Sequence, residues 1–270
     1  MAGRLAILAG GGALPVALAR ACPEALRVVF DGVAHDLAPP THTHRFERLG
    51  ALFDWLHQQE VERVVMAGSM TRPPLDPAAF DAEMQTIAPR LVAAMQEGDD
   101  GLLRFIVSLF EERGFAVEGA YEILPDLTAA EGPIAGPSPH AGTARDTARA
   151  ASILAALSPL DLGQACVVEG GQCLGVETLQ GTDFLLDCTA RTPEALRAPV
   201  GQRGLLMKAA KRGQDLRVDM PAIGPDTAAH LARAGLAGAV IEAGRVMILE
   251  RERAIEAFAQ AGLFLIARRL

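Results

Sequence analysis

Compact apolar runs alternate with stretches of helical periodicity through the first half of the chain. Residues 5–9, 26–30 and 61–67 are short and almost wholly apolar. That pattern predicts strands buried on both faces. Residues 14–21, 49–59, 80–96 and 102–113 carry apolar positions at helical spacing, with Pro23 closing the first of them. Residues 115–123 predict one more strand. Strands alternating with helices predict a parallel sheet covered on both sides, a Rossmann-like α/β domain.

The pattern changes after residue 125. Residues 125–142 hold four prolines and many small residues, the strongest boundary signal in the chain. Beyond it come a helix over 143–157 and a hairpin of 165–169 and 174–178 joined through Gly170-Gly171. A helix from Thr182, a strand over 205–209 and a helix over 225–234 follow. A pair of strands around Gly244 and a last strand over 264–267 complete the series. This half predicts a mixed α/β domain. The expected organisation is a glycine-turn domain at 1–127, a linker at 128–142 and a mixed α/β catalytic domain at 143–270, with the substrate cleft between the domains.

Composition narrows the function. The chain has 270 residues, half of them hydrophobic and 4% aromatic, so Ala, Leu and Val supply most of the apolar content. It carries 33 acidic and 25 basic side chains, a formal charge of -8. A globally acidic chain gains nothing from counterion release, so nucleic acid is not the expected partner. Any anionic ligand must be held by local cations, backbone N–H groups or a metal. No run reaches the roughly 20 apolar residues that span a bilayer, and the N-terminus lacks the apolar core of a secretory signal. The four cysteines form no CxxC pair. Buried, reduced thiols and a cytoplasmic location are expected.

Three places carry chemistry. The first is Gly10-Gly11-Gly12-Ala13-Leu14-Pro15, between a strand and a helix. Glycine admits positive φ and close backbone approach, and a helix N-terminus favours an anion. The turn fits G-x-G, but Pro15 stands at the third glycine of the dinucleotide fingerprint, and no Gly-Lys-Ser/Thr follows. Alone it predicts a phosphate contact no better than a tight turn. The second is the run from Lys208 to Thr227, where Lys208, Lys211, Arg212 and Arg217 interleave with Asp215, Asp219 and Asp226. Lys208 closes an apolar strand, where clefts form in open sheets. It suits phosphate oxygens, while a carboxylate suits Mg²⁺. Asp226 by its spacing alone equally suits a helix cap. The third group is dispersed. It comprises Gly181-Thr182-Asp183 through Asp187 and Thr189, Gly68-Ser69-Met70-Thr71-Arg72-Pro73 at a strand end, and the Gly98-Asp99-Asp100 turn. His42-Thr43-His44 falls in a Pro/Thr-rich loop with no third ligand nearby.

In their order along the chain these segments resemble the LpxI-type UDP-2,3-diacylglucosamine pyrophosphatase family. The resemblance rests on Ala9–Pro15, Gly98-Asp99-Asp100, Gly181-Thr182-Asp183, Lys208, Gly213-Gln214-Asp215-Leu216-Arg217, Asp219-Met220-Pro221 and Ile223-Gly224-Pro225-Asp226-Thr227. It implies a cytoplasmic, Mg²⁺-dependent hydrolase of lipid A biosynthesis, with water attack on the β-phosphate of a lipid-linked nucleotide sugar. It implies transient contact with the inner face of the inner membrane. Asp226 is then the essential acid and metal ligand, and Lys208 the catalytic cation. Gly11, Gly12, Ala13, Ser69, Asp99, Thr189 and Asp219 are the expected substrate contacts. Gln180 stands where the family commonly has Glu, and Ser69-Met70 departs from its Lys-containing segment, so these positions receive no catalytic role. The competing classes are a nucleotide-dependent oxidoreductase, which Pro15 disfavours, and a nucleotide sensor without activity, which the Lys/Asp run disfavours.

Overall fold

The computed structural model describes residues 3–71, 74–96 and 98–270. Arg72, Pro73 and Glu97 lie outside them, as does the side chain of Asp99. The chain folds as two compact α/β units. The first comprises Met1–Pro125 with Asp215–Asp219, and the second Asp126–Gln214 with Met220–Leu270.

In the first unit β1 (Arg4–Ala9), α1 (Ala13–Ala21), β2 (Leu26–Phe30), β3 (His42–His44), α2 (Leu49–Gln58), β4 (Val61–Ala67), α3 (Ala82–Gln96), α4 (Asp99–Glu112), β5 (Ala116–Glu118) and α5 (Ala120–Ile123) follow in order. The sheet runs β3-β2-β1-β4-β5, and every pairing is parallel. Alternation sorts the strands into two faces. Ala6, Leu8, Val28, Phe30, Val64 and Val117 pack on Leu52, Phe53, Leu56, Met84, Ile87 and Phe110 of the helices. Ile7, Val29 and Val65, of opposite parity, are equally buried. The chain leaves β1 toward β2 on one side and returns as β4 on the other, so a topological switch point falls between β1 and β4. Ligands of open α/β sheets bind beyond strand C-termini at such points.

Two expectations change here. Residues 115–123 are not one strand: β5 stops at Glu118, and the Gly119 N–H donates to the Glu122 carboxylate at 2.6 Å, which starts α5. The His42-Thr43-His44 loop is an edge strand. Its two histidine rings lie 4.7 and 4.9 Å from the Trp55 ring, so they pack rather than ligate.

The second unit contains β6 (Gly132–Ala135), α6 (Thr143–Leu157), β7 (Ala165–Glu169), β8 (Gln172–Val176), α7 (Gly181–Thr189), β9 (Leu205–Lys208), β10 (Ala222–Ile223), α8 (Pro225–Arg233), β11 (Gly238–Glu242), β12 (Met247–Ile248), α9 (Arg251–Gln260) and β13 (Phe264–Arg268). Its main sheet runs β6-β13-β11-β9-β7-β8. The three central strands are parallel and the flanking pairings antiparallel, so the sheet is mixed as expected. Part of the expected linker is therefore β6, which pairs with β13. The strands around Gly244 do not pair with each other. β11 joins the main sheet, and β12 joins β10 in a small parallel sheet. Leu205, Met207, Val240 and Phe264 face a core shared with α6. Leu206, Ile241 and Leu265 face the core built with α7, α8 and α9.

All four cysteines are free, but only Cys166 is buried. Cys173 and Cys188 are exposed, contrary to expectation. Cys173 lies on β8, the edge of the sheet, which no further strand covers among the described residues. Burial pushes the Cys166 thiol up to about 12, so it stays protonated and inert.

Candidate functional site

The glycine turn sits at the switch point of the first sheet. Gly10 N–H donates to Ala67 O and Gly11 N–H to Ser69 O, both at 2.8 Å, and Ser69 N–H returns a bond to Gly11 O at 2.9 Å. The ends of β1 and β4 are thus laced together. This closeness requires glycine: a Cβ at Gly10 meets Ser69 O at 2.3 Å, and one at Gly68 (φ 97°) meets Gly11 O at 2.6 Å. Gly11 therefore shapes the turn with its N–H already committed. Gly12 differs. It precedes α1 at φ 93°, and among the described residues nothing lies within 4 Å of the Cβ it lacks. Among the described residues no side chain caps α1, and the first-turn N–H groups of Ala13 and Leu14 have no intrahelical acceptor. They could donate to an anion, and Ser69 is exposed beside the turn.

Asp99 opens α4 behind Gly98, which has φ 96°. Its neighbour Asp100 pairs with Arg104 at 3.1 Å. Residues 215–219, expected with the second domain, belong to the first unit. The reason is a local ion network and one apolar anchor. Arg217 binds Asp215 at 2.6 Å and Glu111 at 2.7 Å, and Val218 packs on the first core. The hydrogen bonds from Arg217 hold the Asp215 carboxyl below its usual range. Asp219 is half-buried here, with its N–H on Asp215 O at 3.1 Å. The Lys208–Thr227 run is therefore divided between the two units. Its middle secures the first unit and its ends belong to the second.

In the second unit Lys208 ends β9. It shares the parity of Leu206, so its side chain enters the face covered by α7, α8 and α9. It is only 8% exposed. A buried ammonium needs partners, and two are present. Nζ donates to Thr182 Oγ1 at 2.6 Å and lies 3.7 Å from Glu177 Oε1. Thr182, in the first turn of α7, donates to that same Glu177 oxygen. Glu177 Oε2 accepts the Gln164 N–H at 2.7 Å. Among the described residues, Nζ makes one hydrogen bond with its three N–H groups. Glu177 was not among the expected site residues, and Thr182 appeared only within the Gly181-Thr182-Asp183 turn, without an assigned role. Their signal was the buried parity of Lys208, which demands a counter-charge that spacing alone does not identify.

Asp226 lies in the first turn of α8, behind Pro225. It is not the cap. The Gly224 N–H donates to Thr227 Oγ1 at 3.1 Å, and the Thr227 N–H returns a bond to Gly224 O at 3.1 Å. Asp226 is exposed, and among the described residues no hydrogen bond or ion pair engages it. A hard cation fits such a carboxylate. Mg²⁺ commonly takes one or two carboxylates and completes its shell with waters and substrate phosphates. A cage built by the protein alone is absent, since among the described residues no three His, Cys, Asp or Glu side chains gather to hold a metal. Thr189 is not brought to an open surface. It is 1% exposed, and its hydroxyl donates to Leu185 O at 2.9 Å.

Comparison with known proteins covers both units. Residues 4–127 match the model of the LpxI N-terminal domain, and residues 130–266 that of the LpxI C-terminal domain. The chain is 38% identical over 271 aligned residues to the UDP-2,3-diacylglucosamine pyrophosphatase LpxI of Caulobacter vibrioides, covering 97% of this chain and 96% of that protein.

Proposed function

The chain belongs to the LpxI family, and on that premise we propose that it hydrolyses UDP-2,3-diacylglucosamine to UMP and 2,3-diacylglucosamine 1-phosphate in lipid A biosynthesis. The observation that carries this reading is the end-to-end match, through both domains, to a relative of that name. The site chemistry supports it. A diphosphate ester needs cations and N–H donors for its oxygens, and a group that serves the attacking water. Within the second unit Lys208 supplies the charge; the first unit, taken by itself, offers the N–H donors in the first turn of α1. Asp226 is an exposed carboxylate that no hydrogen bond or ion pair engages among the described residues.

In the proposed reaction a water oxygen bonds to the β-phosphorus while the bond from that phosphorus to the bridging oxygen breaks. UMP leaves with the bridging oxygen, and the water oxygen remains on the sugar phosphate. Lys208 neutralises charge that grows on the leaving side, the kind of preorganised stabilisation that dominates phosphoryl transfer. Asp226 orients the water or holds Mg²⁺. The ion, when bound, neutralises phosphate oxygens and acidifies water.

The lipid end of the substrate gains about 0.8 kcal/mol per buried CH₂. Among the described residues, no helix is long and apolar enough to cross a membrane. We place the chain in the cytoplasm, meeting the inner membrane peripherally, because its proposed substrate is a lipid-linked nucleotide sugar. The exposed Leu160, Leu179 and Phe184 of the second unit support that contact.

The test is hydrolysis in H₂¹⁸O with Mg²⁺. Label in the sugar phosphate and none in UMP is expected. Label in UMP overturns the site of attack, and no UMP at all overturns the function.

A further inference from the structure

The Lys208–Thr182–Glu177 triad has an arrangement that charge pairing alone does not produce. A buried ammonium beside a carboxylate normally closes to direct hydrogen-bond contact, near 2.8 Å. Here Nζ and Glu177 Oε1 stay 3.7 Å apart. The Thr182 hydroxyl is bonded to both, accepting from Nζ at 2.6 Å and donating to Glu177. Glu177 is itself anchored, because its other oxygen accepts the Gln164 N–H at 2.7 Å. Gln164 in turn accepts the Ala209 N–H at 2.9 Å, directly beyond Lys208. The carboxylate is therefore tied to the strand end whose lysine it balances.

We propose that Thr182 is a positioning residue for Lys208, a hydroxyl spacer that keeps the ammonium from collapsing onto Glu177. The spacer leaves Glu177 near enough to balance a buried charge. It also consumes only one of the three ammonium N–H groups, so the other two remain for phosphate oxygens of the substrate. Without the hydroxyl, nothing stands between Nζ and Oε1, and the ion pair closes. A closed pair spends the same single donor, but it sets the carboxylate directly against the ammonium and screens the charge that the diphosphate needs. The inference rests on the proposed pyrophosphatase reading and adds to it a residue, a role and a reason for the Gly181-Thr182-Asp183 turn.

The variants are Thr182→Val, which keeps the shape and removes the hydroxyl, and Thr182→Ser, which keeps the hydroxyl. Steady-state hydrolysis of UDP-2,3-diacylglucosamine is measured for both, for Lys208→Met and for the Lys208→Met/Thr182→Val double variant. Circular dichroism accompanies each. Supporting-residue losses are commonly 10- to 100-fold, so Thr182→Val is expected to lower kcat/KM by about that factor. Thr182→Ser is expected to stay within about threefold of wild type, the residual expected when the hydrogen bond is retained. In the Lys208→Met background the valine change is expected to cost almost nothing, because its effect passes through the lysine. If Thr182→Val does not fold, Thr182→Ala takes its place in the same cycle. Wild-type activity in the valine or alanine variant, or losses that simply multiply in the double variant, overturns the spacer role while leaving the function intact. A wild-type chain that releases no UMP overturns the function, and this inference with it.

Discussion

Replacing Asp226 with Asn separates two roles that its position allows. In the first turn of a helix, an acid acts either as a cap or on something outside the helix. Loss of a cap costs about 0.5–2 kcal/mol. The structure assigns capping elsewhere, to the reciprocal Gly224–Thr227 bonds at 3.1 Å. Asp226 has no partner among the described residues and is exposed. What Asn removes from stability is then only the favourable charge at the α8 N-terminus, about 0.3–1 kcal/mol and at the low end for an exposed group. A unit of this size shifts its melting temperature by a few degrees per kcal/mol, so a change of under about 3 °C is expected. Turnover is expected to fall far more. A group that meets charge developing in the reaction is worth about 10²–10³ in kcat, or roughly 2.7–4 kcal/mol. UMP release and thermal unfolding, measured on the same preparation, read both quantities. Turnover within fivefold of wild type removes Asp226 from the chemistry. A loss of turnover that travels with more than about 2 kcal/mol of lost stability refutes the assignment of the cap.

Two further changes test the scaffold. Glu169 is 3% exposed and receives four hydrogen bonds: two from Arg197 at 2.7 and 2.9 Å, and the N–H groups of Ala198 and Gly204 at 2.7 and 2.8 Å. Glu169→Gln turns an amide N–H₂ toward donors and should cost about 3–5 kcal/mol by urea unfolding near neutral pH. Burial alone raises this carboxyl, but the bonds from Arg197 and the two N–H groups outweigh it, so its titration lies below the ordinary 4.5. Its contribution is therefore full above that value and lost as pH falls through the folded one, and the gap between wild type and variant should narrow in acid. A gap that widens in acid contradicts the sign. Gly68→Ala places a Cβ against Gly11 O and Pro15 at a φ of 97°, and should cost about 2 kcal/mol or more through clash and backbone strain. An unchanged unfolding midpoint would show that the β1–β4 lacing is slack.

Local pattern was enough for the α/β class, for most helices and central strands and for the mixed character of the second sheet. Compact apolar runs rich in Val and Ile and too short for a helix read as buried strands, because length and β-branched content separate them from buried helix segments. The order of motifs along the chain was likewise enough to reach the family. Tertiary structure decided what partners decide. Only the fold shows that Gly10 and Gly11 spend their N–H groups on Ala67 and Ser69, leaving the first turn of α1 as the open donor set. Only the fold assigns Asp215–Asp219 to the first unit, through Arg217, Glu111 and Val218. Thr189, polar and next to a promising turn, spends its hydroxyl on the helix that carries it. Glu177 is 31 residues from Lys208 in sequence yet balances its charge. Spacing reports which residues share a face of one element. It says nothing about which distant group meets a buried charge, because that pairing depends on how separate elements pack.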